Sequence, residues 1–281
     1  MITVADLTAD ALGAFLASDF RRAFGSSHGQ IAEALDASAR IAIECIANSD
    51  ALYHNLEHTM LVALAGHDIL RGRGLREAIG PSDWAHFLVA CLMHDIGYVR
   101  GVLKDDDTDA FVVDARGRKV RLPRGASDAA LAPYHVDRSK LFVQERLARS
   151  ELLDAERIAR MIEFTRFPAP DGRNDAELDL ETGLVRAADL IGQLGDPHYL
   201  RKTNALFYEF AETGVNERLG YATAADIVDR YPLFFWEHVA QQVEPAVRHL
   251  NVTVEGRRWI AHLHANVFGA ERHLPLGGPQ P

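Results

Sequence analysis

The chain has 281 residues, of which 48% are hydrophobic and 25% charged, and a formal net charge of -10. That length allows a large core, and no run approaches the roughly eighteen apolar residues that a membrane span needs. The acidic balance disfavours a polymeric nucleic acid as partner, because phosphate backbones call for a surplus of Lys and Arg on one face, but leaves a small anionic substrate open.

Met1 to Asp6 carry neither a basic stretch nor a continuous apolar one, so a cytoplasmic location is expected. Apolar residues recurring at three- and four-residue spacing, as in Leu12, Phe15, Leu16 and Phe20, predict helices over 5–23, 28–48, 56–72 and 82–97. Cys45 and Cys91 lie in apolar runs and read as buried thiols, so a metal would have to be held by His and carboxylates. The acidic run Asp105-Asp106-Asp107 leads into two β-prone stretches around Gly117, which predicts a hairpin near 110–123, inserted between helices. Further helices are expected over 136–150, 154–165, 175–195, 197–212, 224–250 and 255–268, with a disordered tail over 271–281. The simplest organisation is one all-α domain over 1–270, with helical extensions at both ends; a homo-oligomer is compatible with it.

Three segments carry chemistry: Tyr53-His54-Asn55-Leu56-Glu57-His58, His94-Asp95-Ile96-Gly97 and Ala187-Ala188-Asp189-Leu190. His54 and His58 are four apart and share a face if their segment is helical. His94 and Asp95 follow a long apolar run and are expected near the C-terminal end of a central helix, where neighbours point about 100° apart and reach one ion only over the edge between them. A second pair, His67-Asp68, lies nine residues beyond His58, close to the opposite face, and is set aside.

Together these segments resemble the HD superfamily of metal-dependent phosphohydrolases, and Tyr-His-Asn-x-x-His resembles its cyclic nucleotide phosphodiesterase branch. The resemblance covers about 53–197. It implies an HD-like helical bundle in which His58, His94, Asp95 and Asp189 hold one divalent ion (Mn, Fe, Zn, Co or Mg), with Asp95 able to bridge to a second. His54 would be the general acid in the cleavage of a cyclic nucleotide or other small phosphoester. His135, in Tyr134-His135-Val136-Asp137, resembles a ligand to the second ion, although His135 or Asp137 could equally cap a helix.

Arg138, Lys140 and Arg166 are cations close to these residues in sequence and are candidate phosphate contacts. Two alternatives stand beside the phosphohydrolase. One is a di-iron HD-type oxygenase, disfavoured because the chain has Thr165 where an added histidine would be needed. The other is a catalytically silent metal- or nucleotide-binding regulatory module.

Overall fold

A computed structural model describes residues 1–167 and 180–272. The fold is all-α with one small hairpin, as expected. α1 (Val4–Phe24) and α2 (Gly29–Ile46) pack as an antiparallel pair, and α1 starts at a capping box in which Thr3 and Asp6 bond each other's backbone N–H. α3 (Leu56–Gly74) is central, with α2, α4, α7, α11 and α12 around it. α4 (Pro81–Met93) begins with proline at its first position, and every residue from Trp84 to Met93 is buried; a helix apolar on all faces belongs in the middle of a core.

β1 (Ala110–Val112) and β2 (Lys119–Arg121) form the expected hairpin, with Phe111 opposite Val120 and Gly117 in the left-handed region of the turn. α5 (His135–Leu147) and α6 (Ala155–Glu163) pack together, and α5 also covers the turn after His94-Asp95. The approach is close: a Cβ added to Gly97 would lie 2.0 Å from the His135 carbonyl oxygen, so only glycine fits there. α7 (Glu181–Leu194) lies along α3, and a Cβ on Gly192 would meet the Val62 backbone at 2.8 Å. Of the helix expected over 175–195, residues 175–179 lie outside those described, as do residues 273–281 of the tail expected over 271–281; α12 itself continues to Glu271.

The C-terminal part departs from expectation. α8 (Tyr199–Glu212) is followed by a short helix α9 (Val215–Leu219), set between two glycines in left-handed conformation. The helix expected over 224–250 is helical throughout, as α10 (Ala224–Phe234) and α11 (Ala240–Leu250) joined through a wider helical turn over Phe235–Val239. Pro232 and Pro245 lack the N–H that a continuous ladder requires, and the wider turn falls between them. α12 (Val254–Glu271) closes the bundle, and buried apolar residues from α1 to α12 form one continuous core. No helix among the described residues is long and apolar enough to cross a membrane.

Candidate functional site

His58 stands in the first turn of α3, whose N-cap is Asn55; the Asn55 side chain accepts from the backbone N–H of Glu57 and His58. His54 therefore precedes the helix. Its proximity to His58, with ring centroids 5.5 Å apart and nearly perpendicular, comes from the capping turn and not from a shared helical face. The His94-Asp95 expectation changes in the same way. α4 stops at Met93, and Asp95 has φ -104° and ψ 2°, a bridge conformation outside the helix. That break, and not the edge of a regular helix, turns both side chains to one point.

Asp95 Oδ2 lies 3.1 Å from His94 Nε2 and 3.2 Å from His58 Nε2. Asp189 Oδ1, from α7, lies 3.4 and 3.3 Å from the same two nitrogens. Metal–ligand bonds of about 2.0–2.2 Å place donor atoms roughly 2.8–3.6 Å apart at octahedral to tetrahedral angles, so these spacings are compatible with a coordination shell as well as with His–carboxylate ion pairs. Among the described residues, buried His58, His94 and Asp95 form a cluster able to hold a metal ion.

Hydrogen bonding points the same way. His94 Nδ1 donates to the Cys91 carbonyl at 2.8 Å and His135 Nδ1 to the Ala132 carbonyl at 2.6 Å, which fixes the tautomer that leaves each Nε2 lone pair for a ligand. His94 Nε2 and Asp95 Oδ2 are buried without a hydrogen-bond partner, a costly arrangement that a divalent cation would relieve. Burial pushes the Asp95 carboxyl up, but His94 and His58 outweigh it and hold it well below the usual carboxylate range. Burial pulls the His94 imidazole down, while Asp95 and Asp189 raise it well above its ordinary value.

The site opens on one side: the side chains of His54, Asp189 and His135 are 17%, 19% and 18% exposed, against 4% for Asp95. His135, the first residue of α5, sets its Nε2 3.7 Å from Asp95 Oδ1, the oxygen turned away from His58 and His94. No side chain caps α5, so the capping alternative for His135 and Asp137 does not hold.

Sequence reading missed one partner. Glu209, on α8, accepts from His54 Nδ1 at 2.5 Å with one carboxylate oxygen, and from the backbone N–H of Tyr53 and His54 with the other, at 2.6 and 3.1 Å. Burial pulls the His54 imidazole down, but the Glu209 carboxylate, helped by Asp95 and Asp189, raises it to about 9. Glu209 lies 155 residues beyond His54, and nothing local distinguishes it from a solvated acid on an amphipathic helix.

The three expected phosphate contacts are all engaged with other residues of the protein. Arg138 is fully buried; its five N–H groups donate to the carbonyls of Gly97, Val99 and Val112 and to both oxygens of buried Asp106. No donor remains for a ligand, and its role is to brace the His94–Val99 turn against the hairpin. Lys140 and Arg166 bind Asp137 and Glu163 in a four-residue ion network, which offsets their charge. His67-Asp68 is structural, as expected: buried His67 bonds Asp19 at 2.7 Å.

No curated protein and no solved structure matches the chain. A family model described as Npun_R2479-like matches residues 2–273, and the chain belongs to that family.

Proposed function

We propose that the protein is a metal-dependent phosphohydrolase, a phosphodiesterase for a cyclic nucleotide or another small phosphoester. The observation that carries the reading is the convergence of four ligand atoms, from His58, His94, Asp95 and Asp189, next to an imidazole held by its own carboxylate. The order of these residues and their resemblance to the HD superfamily supply the reaction class. A divalent cation held by the four would neutralise phosphoryl charge and make bound water more acidic. Asp95 presents a second oxygen toward His135, which supports a second, more weakly held ion.

His54 is the proton donor. Its Nδ1 is tied to Glu209, which leaves Nε2 to offer a proton to a departing alkoxide, and the carboxylate favours the protonated ring. The partly exposed edge formed by His54, Asp189 and His135 is the approach for the phosphoester. The oxygenase alternative gains no support, since buried Thr165 bonds the Ile162 carbonyl and offers no imidazole.

The test is His54→Ala on the metal-loaded protein, assayed against a panel of phosphodiesters and phosphomonoesters. Loss of a general acid is expected to lower kcat by about 10²- to 10⁴-fold with metal content unchanged. Undiminished turnover with metal bound would refute the mechanism, and no turnover by the wild type on any phosphoester would refute the activity.

A further inference from the structure

Tyr98 ends the turn Ile96–Tyr98 and is buried between two rings of the site. Its ring stacks on His54 with centroids 4.6 Å apart and planes 13° from parallel. On the other side it stacks on His135 at 4.5 Å and 20°. The other ring contacts of the site's histidines are steeper, His54–His58 at 83°, Tyr53–His54 at 70°, His58–His94 at 65° and Tyr53–His58 at 46°, so the layered arrangement is particular to Tyr98.

The turn has little freedom to place this ring otherwise. The Gly97 and Val99 carbonyls, on either side of Tyr98, accept from Arg138, and the Gly97 N–H donates to Ser139 Oγ at 2.9 Å. Ser139 Oγ in turn donates to the His94 carbonyl at 2.6 Å. Each imidazole, by contrast, has a single hydrogen bond through Nδ1, to Glu209 for His54 and to Ala132 for His135. One such bond fixes a direction but lets the ring swing about it; a flat partner against its face fixes the plane as well.

We propose that Tyr98 is a positioning residue, an aromatic spacer that holds the His54 and His135 rings each nearly flat against its own faces, so that one Nε2 is aimed as proton donor and the other toward the free oxygen of Asp95 as ligand to a weaker second ion. This rests on the hydrolytic reading above and extends it to a residue that touches neither substrate nor metal. The phenol hydroxyl takes no part; the flat ring does the positioning.

The experiment compares Tyr98→Phe, Tyr98→Leu and Tyr98→Met in the full chain, with Mn²⁺ titrated calorimetrically and bis(p-nitrophenyl) phosphate as substrate. Tyr98→Phe is expected to stay within about threefold of wild type in both readouts, because the ring is kept. Tyr98→Leu and Tyr98→Met, which fill space without a flat face, are expected to lower kcat about 10²-fold with KM little changed. They are also expected to weaken the weaker class of Mn²⁺ sites about tenfold, while the tight class stays at wild-type affinity and reports an intact fold. Wild-type behaviour of the Leu and Met variants would overturn the proposal, as would a Phe variant that falls as far as they do. If the wild type turns over no phosphoester, the hydrolytic reading fails on its own. The Mn²⁺ isotherms then decide the spacer role: loss of the weaker class in Leu and Met but not Phe supports it, and equal isotherms overturn it.

Discussion

Replacing Arg138 with Met removes a fully buried guanidinium while keeping much of its volume. Asp106, whose side chain is also fully buried, would lose both contacts to the guanidinium, at 2.9 and 3.0 Å, and keep only the backbone N–H groups of Leu103 and Val112. The carbonyls of Gly97, Val99 and Val112 would lose a donor as well. Breaking a buried ion pair from one side costs about 3–5 kcal/mol, because a charge is left uncompensated. Set against a typical total of about 5–15 kcal/mol, that is a large fraction of the stability of a folded domain. Equilibrium urea denaturation of Arg138→Met should therefore show a midpoint well below wild type, and adding Asp106→Asn should recover part of the loss by removing the stranded charge. A loss under about 1 kcal/mol, or a raised KM at unchanged stability, would refute the bracing role and return Arg138 to the phosphate.

Glu209→Gln is expected to lower kcat, and most strongly at alkaline pH: without that carboxylate only Asp95 and Asp189 oppose burial at His54, and the protonated ring is lost at a lower pH. An unchanged pH–rate profile would show that Glu209 does not set the charge of His54. The His67–Asp19 pair gives a stability test away from the metal ligands. Burial lowers the His67 pKa, but bonds to Asp19 and Asp68 raise it overall, so the folded state holds a proton that the unfolded state releases near pH 6.5. Its contribution is whole below that pH and is lost as pH rises through the higher folded value. Comparing unfolding free energies of wild type and Asp19→Asn should show a difference that shrinks as pH rises above about 6.5, and a constant difference would contradict it.

Periodicity made the helical class legible, and the ends of α1, α2 and α3 lie within two residues of expectation, because repeating apolar spacing and capping residues are local signals. His58, His94, Asp95 and Asp189 converge as their order implied, yet the local reasons differ: Asn55 ends the shared-face argument for His54, and the Asp95 bridge conformation ends the helix-edge argument. Glu209 and Tyr98 were not legible, one because its partner is 155 residues away, the other because a Tyr after an apolar run reads as core. Arg138 misled for a related reason. Its charge resembles a phosphate contact until the hairpin brings Asp106 beneath it, a pairing across 32 residues that neither local sequence announces.

The proposed function requires a divalent ion at His58, His94, Asp95 and Asp189. Diffraction from crystals equilibrated with Mn²⁺, recorded at the manganese absorption edge, locates that ion directly. The expected result is a strong anomalous peak about 2.0–2.3 Å from His58 Nε2, His94 Nε2, Asp95 Oδ2 and Asp189 Oδ1, lost in His94→Ala. No peak at that position under saturating Mn²⁺, or one that survives His94→Ala unchanged, would contradict it.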